Sequence, residues 1–280
     1  MSLPPMRSGA VARKSVRPIE GYLLEKTHRL FGPVPRLAGA VAPEVIHQMR
    51  VNSRRLRVGL RFFQRLFPAA ELRQVLRQLR RTTRALGAVR TLDVNAQCIR
   101  RAGGAGGAML AARWQADRAE ALAAARELLG MLRASQFPAR VETMIRAARW
   151  PGEGQLRQAA AEQLRELRQE LKKRYRQYRR EQSSHRFHQF RIAVKHYRYG
   201  LEAAAAAGLG GHLRSRIRAV EELQDLMGAV HDFEVARAYV RSVRGPAAMI
   251  DWLDTEQEKR YELFKAFLKK ERLWMKKVKQ

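Results

Sequence analysis

The chain has 280 residues, 46% of them hydrophobic, enough to bury a real core and too apolar for wholesale disorder. Its 56 Lys and Arg against 26 Asp and Glu leave a formal charge of +30, a self-repulsion that calls for a polyanion or an anionic surface as partner. The lone cysteine, Cys98, excludes an intramolecular disulfide framework and any multi-cysteine metal site, and no run of about 18 apolar residues exists to span a bilayer, so a soluble cytoplasmic protein is expected.

Residues 1–19 are basic, carry no acid and lack the apolar stretch of a secretory signal, which predicts a flexible leader. From Glu20 onward, apolar residues recur at three- and four-residue spacing among Ala, Leu, Arg, Glu and Gln, all good helix formers, and no alternating strand pattern appears. Breaks follow in order at Gly32-Pro33 with Pro35, Pro43, Pro68, Gly103 to Gly107, Pro138, Pro151 to Gly154, Ser183-Ser184, Gly208 to Gly211 and Gly245-Pro246. The expected fold class is all-α, an array of long helices.

An internal repeat organises the array. His47-Gln48-Met49-Arg50-Val51 returns as His188-Gln189-Phe190-Arg191-Ile192, a spacing of 141 residues (188 − 47). At the same spacing Arg54, Arg55 and Arg57 meet Lys195, His196 and Arg198, while Arg73 and Arg77 meet Arg214 and Arg218. Gly87-Ala88-Val89 meets Gly228-Ala229-Val230, and Gly104 meets Gly245. The chain therefore divides into two copies of a four-helix unit, about 20–140 and 141–280, packed most simply about a pseudo-twofold axis. Each signature opens a helix, roughly 43–66 and 184–207.

At roughly 100° per residue, Met49, Leu56, Leu60, Phe63 and Phe67 share one apolar stripe, as do Phe190, Tyr197 and Leu201 in the second copy. His47, Arg50, Arg54, Arg57 and Arg61 share another face, matched by His188, Arg191, Lys195 and Arg198. Glu202 stands where Arg61 would recur and can clamp a basic neighbour. A cationic stripe without carboxylates one turn away is mildly self-repelling, so a solvated face is the ordinary reading and an anion the alternative. Repetition of the stripe, histidine included, favours the anion.

These residues resemble the CHAD family, the "conserved histidine α-helical domain". His47 to Arg57 follows its His-x-x-Arg-[Val/Ile]-x-x-[Arg/Lys]-[Arg/Lys]-x-Arg signature, and Leu86 to Val94 follows its Leu-Gly-x-x-Arg-Asp-x-Asp-Val segment, with Thr91 in place of Asp. The second copy offers His188 to Arg198, with His196 in place of Lys or Arg, and then Leu223-Gln224-Asp225-Leu226-Met227-Gly228 through Asp232. The resemblance implies two four-helix bundles related by a pseudo-twofold axis, with a basic groove or pore between them that binds inorganic polyphosphate, and association with polyphosphate granules. The Glu-x-Glu-x-Lys motif of a CYTH triphosphatase is absent, which implies a stand-alone domain.

Guanidinium forks suit phosphate oxygens, and Lys195 would act as a point charge. The principal clamps expected are Arg50, Arg54, Arg57, Arg191, Lys195 and Arg198, with Arg55, Arg61, Arg90 and His196 beside them. Arg73, Arg77, Arg214 and Arg218 line the neighbouring helices, and Arg80 and Arg84 extend the first basic face. Two roles stay open for His47 and His188: donating to phosphate, or orienting the first arginine. Asp93 and Asp232 are expected to pin arginines or a helix end.

Nucleic acid is the competing partner. Lys172 to Arg180 interleaves Tyr175 and Tyr178 with basic residues, as a single-strand platform would, although tyrosines docked inward explain the same pattern. Glu221, Glu222, Asp225 and Asp232 gather on one predicted helix as magnesium carboxylates do, but pairing with Arg218 accounts for part of that cluster. No catalysis, metal or cofactor is expected. The oligomeric state is not legible.

Overall fold

Helices open where the sequence supplies a residue suited to a helix start. Proline occupies the first turn of α1 (Pro18–Phe31), α2 (Pro43–Phe62) and α5 (Phe137–Ala147), where its missing N–H costs nothing. The Ser183 hydroxyl caps α7 (Ser184–Ala206) by accepting from the Arg186 amide at 3.3 Å. The remaining long helices are α3 (Ala69–Ala102), α4 (Gly107–Ala134), α6 (Glu153–Arg180), α8 (Leu213–Ser242) and α9 (Ala247–Lys270). The computed structural model describes residues 17–102, 107–210 and 213–270, and among these there is no strand. Residues 1–16 of the leader, and Gly104, lie outside the described residues.

The first signature helix ends four residues short of the expected 66. Phe63 leaves the helical region at φ −111° and ψ 29°, and a 3-10 turn at Gln64–Leu66 follows. That bend brings Phe63 and Phe67 edge-on to Trp150, at ring separations of 6.0 and 5.9 Å. The second signature helix spans Ser184–Ala206, close to expectation. Every residue of both apolar stripes is buried: Met49, Leu56, Leu60, Phe63 and Phe67, and Phe190, Tyr197 and Leu201.

Shifted by the 141-residue spacing, α1, α2, α3 and α4 fall on α6, α7, α8 and α9. The neighbours correspond too: α2 packs on α1 and α3, and α3 on α4, while α7 packs on α6 and α8, and α8 on α9. Contacts between the two sets run α2 to α7 and α3 to α8. A four-helix count per copy leaves no place for α5, which packs on α1 through Phe31 and Phe137, 5.8 Å apart.

Close helix approach recurs at equivalent glycines. A Cβ at Gly59 would stand 2.7 Å from Leu23 of α1, and one at Gly200 would stand 2.4 Å from Leu167 of α6. In both crossings the leucine side chain would have to shift to admit a Cβ. One continuous apolar core runs from Ile19 to Phe267, and a smaller cluster joins Val94, Cys98 and Ile99 of α3 to Phe233, Ala236 and Val240 of α8. Tyr175 and Tyr178 lie in the main core, with Tyr178 stacked on Phe190 at 5.8 Å, so neither offers a ring to a nucleobase.

Candidate functional site

The signature helices α2 and α7 pack against each other, so their cationic faces meet. An outer hollow of about 230 Å³ between them is lined by Arg54, Arg57 and Val58 of α2 and by His188, Arg191, Ile192, Lys195, His196 and Tyr199 of α7. No carboxylate stands among the described residues that line it. An inner hollow of about 310 Å³ shares Arg191 and Lys195 with the outer one and adds His47, Arg50, Arg90 and Thr91, with Gln224, Asp225, His231 and Asp232 of α8. A third hollow, about 650 Å³, opens beyond it between α3, α8 and α9 and shares Asp225 and Asp232. Arg101, Arg218 and Arg260 line this last space with Glu221 and Glu222.

Burial and mutual repulsion act together on these cations. Lys195 is pushed down to about 6 by burial, then by Arg191, Arg54 and Arg50. Burial likewise pushes Arg50 down to about 9, with Arg54, Arg191 and Arg90 adding to it. Arg57 falls to about 10 through burial and the nearness of Arg54, Arg61 and Arg80. Arg191 is 8% exposed and also falls to about 10 by burial, although Asp232 opposes the shift. The Nε atoms of Arg50 and Arg191 are buried with no hydrogen-bond partner among the described residues. Such donors need an acceptor, and repelling guanidinium groups need an anion. Gly87 of α3 packs beside one of them, a Cβ there standing in van der Waals contact, 3.4 Å, with Arg50 Nε.

The histidines are pushed toward their neutral form. Burial lowers His47, His188 and His196, helped by Arg90 and Arg50 at His47, by Arg191 at His188 and by Arg57 at His196. A neutral imidazole next to phosphate acts as an N–H donor. His47 Nδ1 is itself buried without a partner among the described residues.

Other expected residues go elsewhere. Glu202 takes Arg55 in a two-pronged pair, Nε to Oε2 at 2.6 Å and Nη2 to Oε1 at 2.8 Å, and it also meets Arg198 Nε at 3.5 Å. Arg198 donates as well to Glu221 at 2.5 Å, so Arg55 and Arg198 are engaged by carboxylates instead of facing the hollows. Arg61 and Arg80 are exposed beside Arg57, and Arg218 lines the third hollow. Arg73, Arg77, Arg84 and Arg214 are exposed and line neither the outer nor the inner hollow. Asp93 does pin an arginine, accepting from Arg118 Nε at 2.7 Å, while Asp232 lines the inner hollow, its carboxyl raised by burial against the pull of Arg191, Lys195, Arg90 and Arg50.

Several lining residues were not among the expected phosphate contacts: Thr91, Tyr199, Gln224 and His231, and Asp225, which the sequence offered only as part of a carboxylate cluster. The repeat carried a signal for some of them. His231 lies 141 residues after Arg90, Asp232 after Thr91, and Tyr199 after Val58, and all six line the hollows. His231 is held well below the ordinary histidine range by burial and Arg191, although it hydrogen-bonds Glu234 at 3.2 Å, and its ring lies 5.7 Å from that of His188.

The sequence matches the CHAD domain family over residues 21–241. Among solved structures, the chain is similar to one described as the crystal structure of the CHAD domain from the plant Ricinus communis, with 23% identity, a TM-score of 0.69, and coverage of 95% of this chain and 96% of that one. It is also similar to PptA from Streptomyces chartreusis, with 17% identity, a TM-score of 0.58, and coverage of 89% of this chain and 95% of that one. No curated protein matches it significantly.

Proposed function

The chain belongs to the CHAD domain family, and on that premise we propose that it binds inorganic polyphosphate in the outer and inner hollows, associating with polyphosphate granules in the cytoplasm. The observation that carries this reading is the outer hollow itself: Arg54, Arg57, Arg191 and Lys195 converge from two helices with no carboxylate among the described lining residues. Arg50 and Arg90 continue the cationic wall inward, with His47, His188 and His196 as neutral donors. An unbranched phosphate chain presents one charge per unit and no bases, which suits a cationic slot.

The proposal includes the architecture, two four-helix bundles at about 20–140 and 141–280 about a pseudo-twofold axis. Its support is that residues 141 apart line the same hollow: Arg50 and Arg191, Arg90 and His231, Thr91 and Asp232, Val94 and Val235, and Arg54 and Lys195. No helix of the described residues is long and apolar enough to cross a membrane.

The test is calorimetric titration with polyphosphate at several salt concentrations, with single-stranded RNA of equal total charge as competitor. Affinity should fall linearly with salt in log-log terms as counterions are released. Bound polyphosphate should resist the RNA, and its chain length should stay unchanged on incubation with magnesium. Ready displacement by RNA would transfer the site to nucleic acid.

A further inference from the structure

A second run of cations lies outside the hollows. At roughly 100° per residue, Arg73, Arg77, Arg80 and Arg84 of α3 fall within about 60° of one another and extend over roughly 17 Å of helix. All four are exposed, and among the described residues none is ion-paired. Between Ala69 and Arg90 the sole acid is Glu71, roughly 160° round the helix from Arg73, so the stripe repels itself with nothing on α3 to offset it. It also adjoins the candidate site. α2 and α3 run antiparallel in a register fixed at two points: the hydroxyls of Ser53 and Thr83 hydrogen-bond at 3.0 Å, and Gly87 packs beside Arg50. Continued along the pair, that register sets Arg80 level with Arg57 and Arg77 level with Leu60. Arg57 lines the outer hollow and lies near both Arg61 and Arg80, so these two exposed cations connect the hollow's wall to the stripe. The other half has no such face. Arg214 and Arg218 repeat Arg73 and Arg77, but Glu221 and Asp225 replace Arg80 and Arg84, and Glu202 replaces Arg61.

We propose that the exposed arginine face of α3 is a surface track for polyphosphate: a chain held in the outer hollow also lies along Arg61, Arg73, Arg77, Arg80 and Arg84, and only the first half of the molecule carries such a track. This deepens the polyphosphate reading and rests on it. Exposed guanidinium groups contribute little one at a time, because water and salt screen them. A flexible polyanion already anchored at Arg57 meets the stripe at high effective concentration, so the same weak contacts add to one another. The planar forks accept any phosphate of the chain, which lets the polymer settle on them without a fixed register. A chain too short to span the hollow and the stripe together gains nothing from the track. On the second half the equivalent surface repels a polyanion at Glu221 and Asp225.

The experiment titrates the full chain calorimetrically and compares two triple variants of equal net charge. One carries Arg73→Glu, Arg77→Glu and Arg84→Glu on the stripe, and the other Arg165→Glu, Arg176→Glu and Arg179→Glu at exposed positions of α6. Long linear polyphosphate should bind the stripe variant about tenfold more weakly than the α6 variant. Its log-log salt slope should also be shallower by about two, at roughly 0.7 for each lost contact. Tripolyphosphate, too short to span hollow and stripe, should bind the two variants alike. If either variant loses its helical circular dichroism, glutamine at the same positions carries the comparison, with the same order expected. Equal affinity of the two variants for the long polymer would overturn the track and leave net charge alone. A loss that tripolyphosphate shares in full would overturn it too, by showing that the three arginines act on the hollow and not on a longer chain. Absence of binding to the parent by either polymer would instead overturn the polyphosphate reading itself.

Discussion

Arg61, Arg80 and Arg84 on α2 and α3 stand 141 residues before Glu202, Glu221 and Asp225 on α7 and α8, so the two halves of the molecule carry opposite charge at equivalent positions beside the same signature. The second half quenches its own ridge. Glu202 and Glu221 together occupy Arg198, and Glu202 reaches across to Arg55 of the first half. The first half leaves its ridge unquenched, so that Arg54, Arg61 and Arg80 act on Arg57 and help to push it down to about 10. The contrast separates two jobs. Arg55 joins the halves through Glu202 and Arg198 is tied within the second half, while Arg54, Arg57, Arg191 and Lys195 line the outer hollow.

The largest expected effect tests the shared wall. Reversing one cation from each signature helix, Arg54→Glu with Lys195→Glu, should weaken polyphosphate binding by at least about a hundredfold in titration while the helical circular dichroism stays unchanged. Parent-like binding by this double variant would remove both residues from the site.

Exchanging charge between the halves sharpens the contrast. Glu202→Ala leaves Arg55 largely buried without its carboxylate, although Arg198 keeps Glu221; the change should cost about 2 kcal/mol and lower Tm by about 4–6 °C, while polyphosphate binding tightens. Arg61→Glu, at the exposed equivalent position, should leave stability within about 0.5 kcal/mol of the parent and weaken binding severalfold. A Tm unchanged by the first substitution, or lowered by the second, would erase the division of labour.

The smallest effect is in pH. A lysine holds its proton to near 10.5 in an unfolded chain, whereas Lys195 in the folded ligand-free protein releases it above about 6. Between those values the unfolded state binds more protons, so this group makes the ligand-free protein more stable as pH rises through the window. Polyphosphate favours the charged form, so binding should take up part of a proton and weaken about threefold from pH 6 to pH 8, with a binding heat that depends on the buffer's ionisation enthalpy. In Lys195→Met the proton uptake should vanish and the ligand-free protein should be more stable near pH 6. A binding heat that ignores the buffer would show that Lys195 is already charged.

Much of the fold was legible from local rules. Pro43, Pro138 and Ser183 mark helix starts because they supply or spare backbone donors within a few residues, and the two apolar stripes follow from helical periodicity alone, whereas Pro18 and Ile19, read as part of a flexible leader, open α1 with Ile19 buried. α5 escaped the repeat count because nothing at the 141-residue spacing corresponds to it. Within the candidate site, the cationic stripes were readable, but the identity of the free cations was not. Arg55 and Arg57 are alike in the signature, yet one faces Glu202 and the other the outer hollow.

Composition, periodicity and repetition by themselves determined that this is a strongly basic helical protein with two histidine–arginine ridges, because those properties depend on neighbours a few residues apart or on one fixed spacing. Only the tertiary structure decided that Arg191 is buried with a donor to spare, that Glu202 closes on Arg55 from the other half, and that Asp232 looks into the same hollow as Lys195. Pairing and burial are set by which helices cross and at what angle. Those crossings turn on contacts such as Gly59 with Leu23 and Gly200 with Leu167, where partners lie tens of residues apart and the deciding quantity is the room for a single carbon atom.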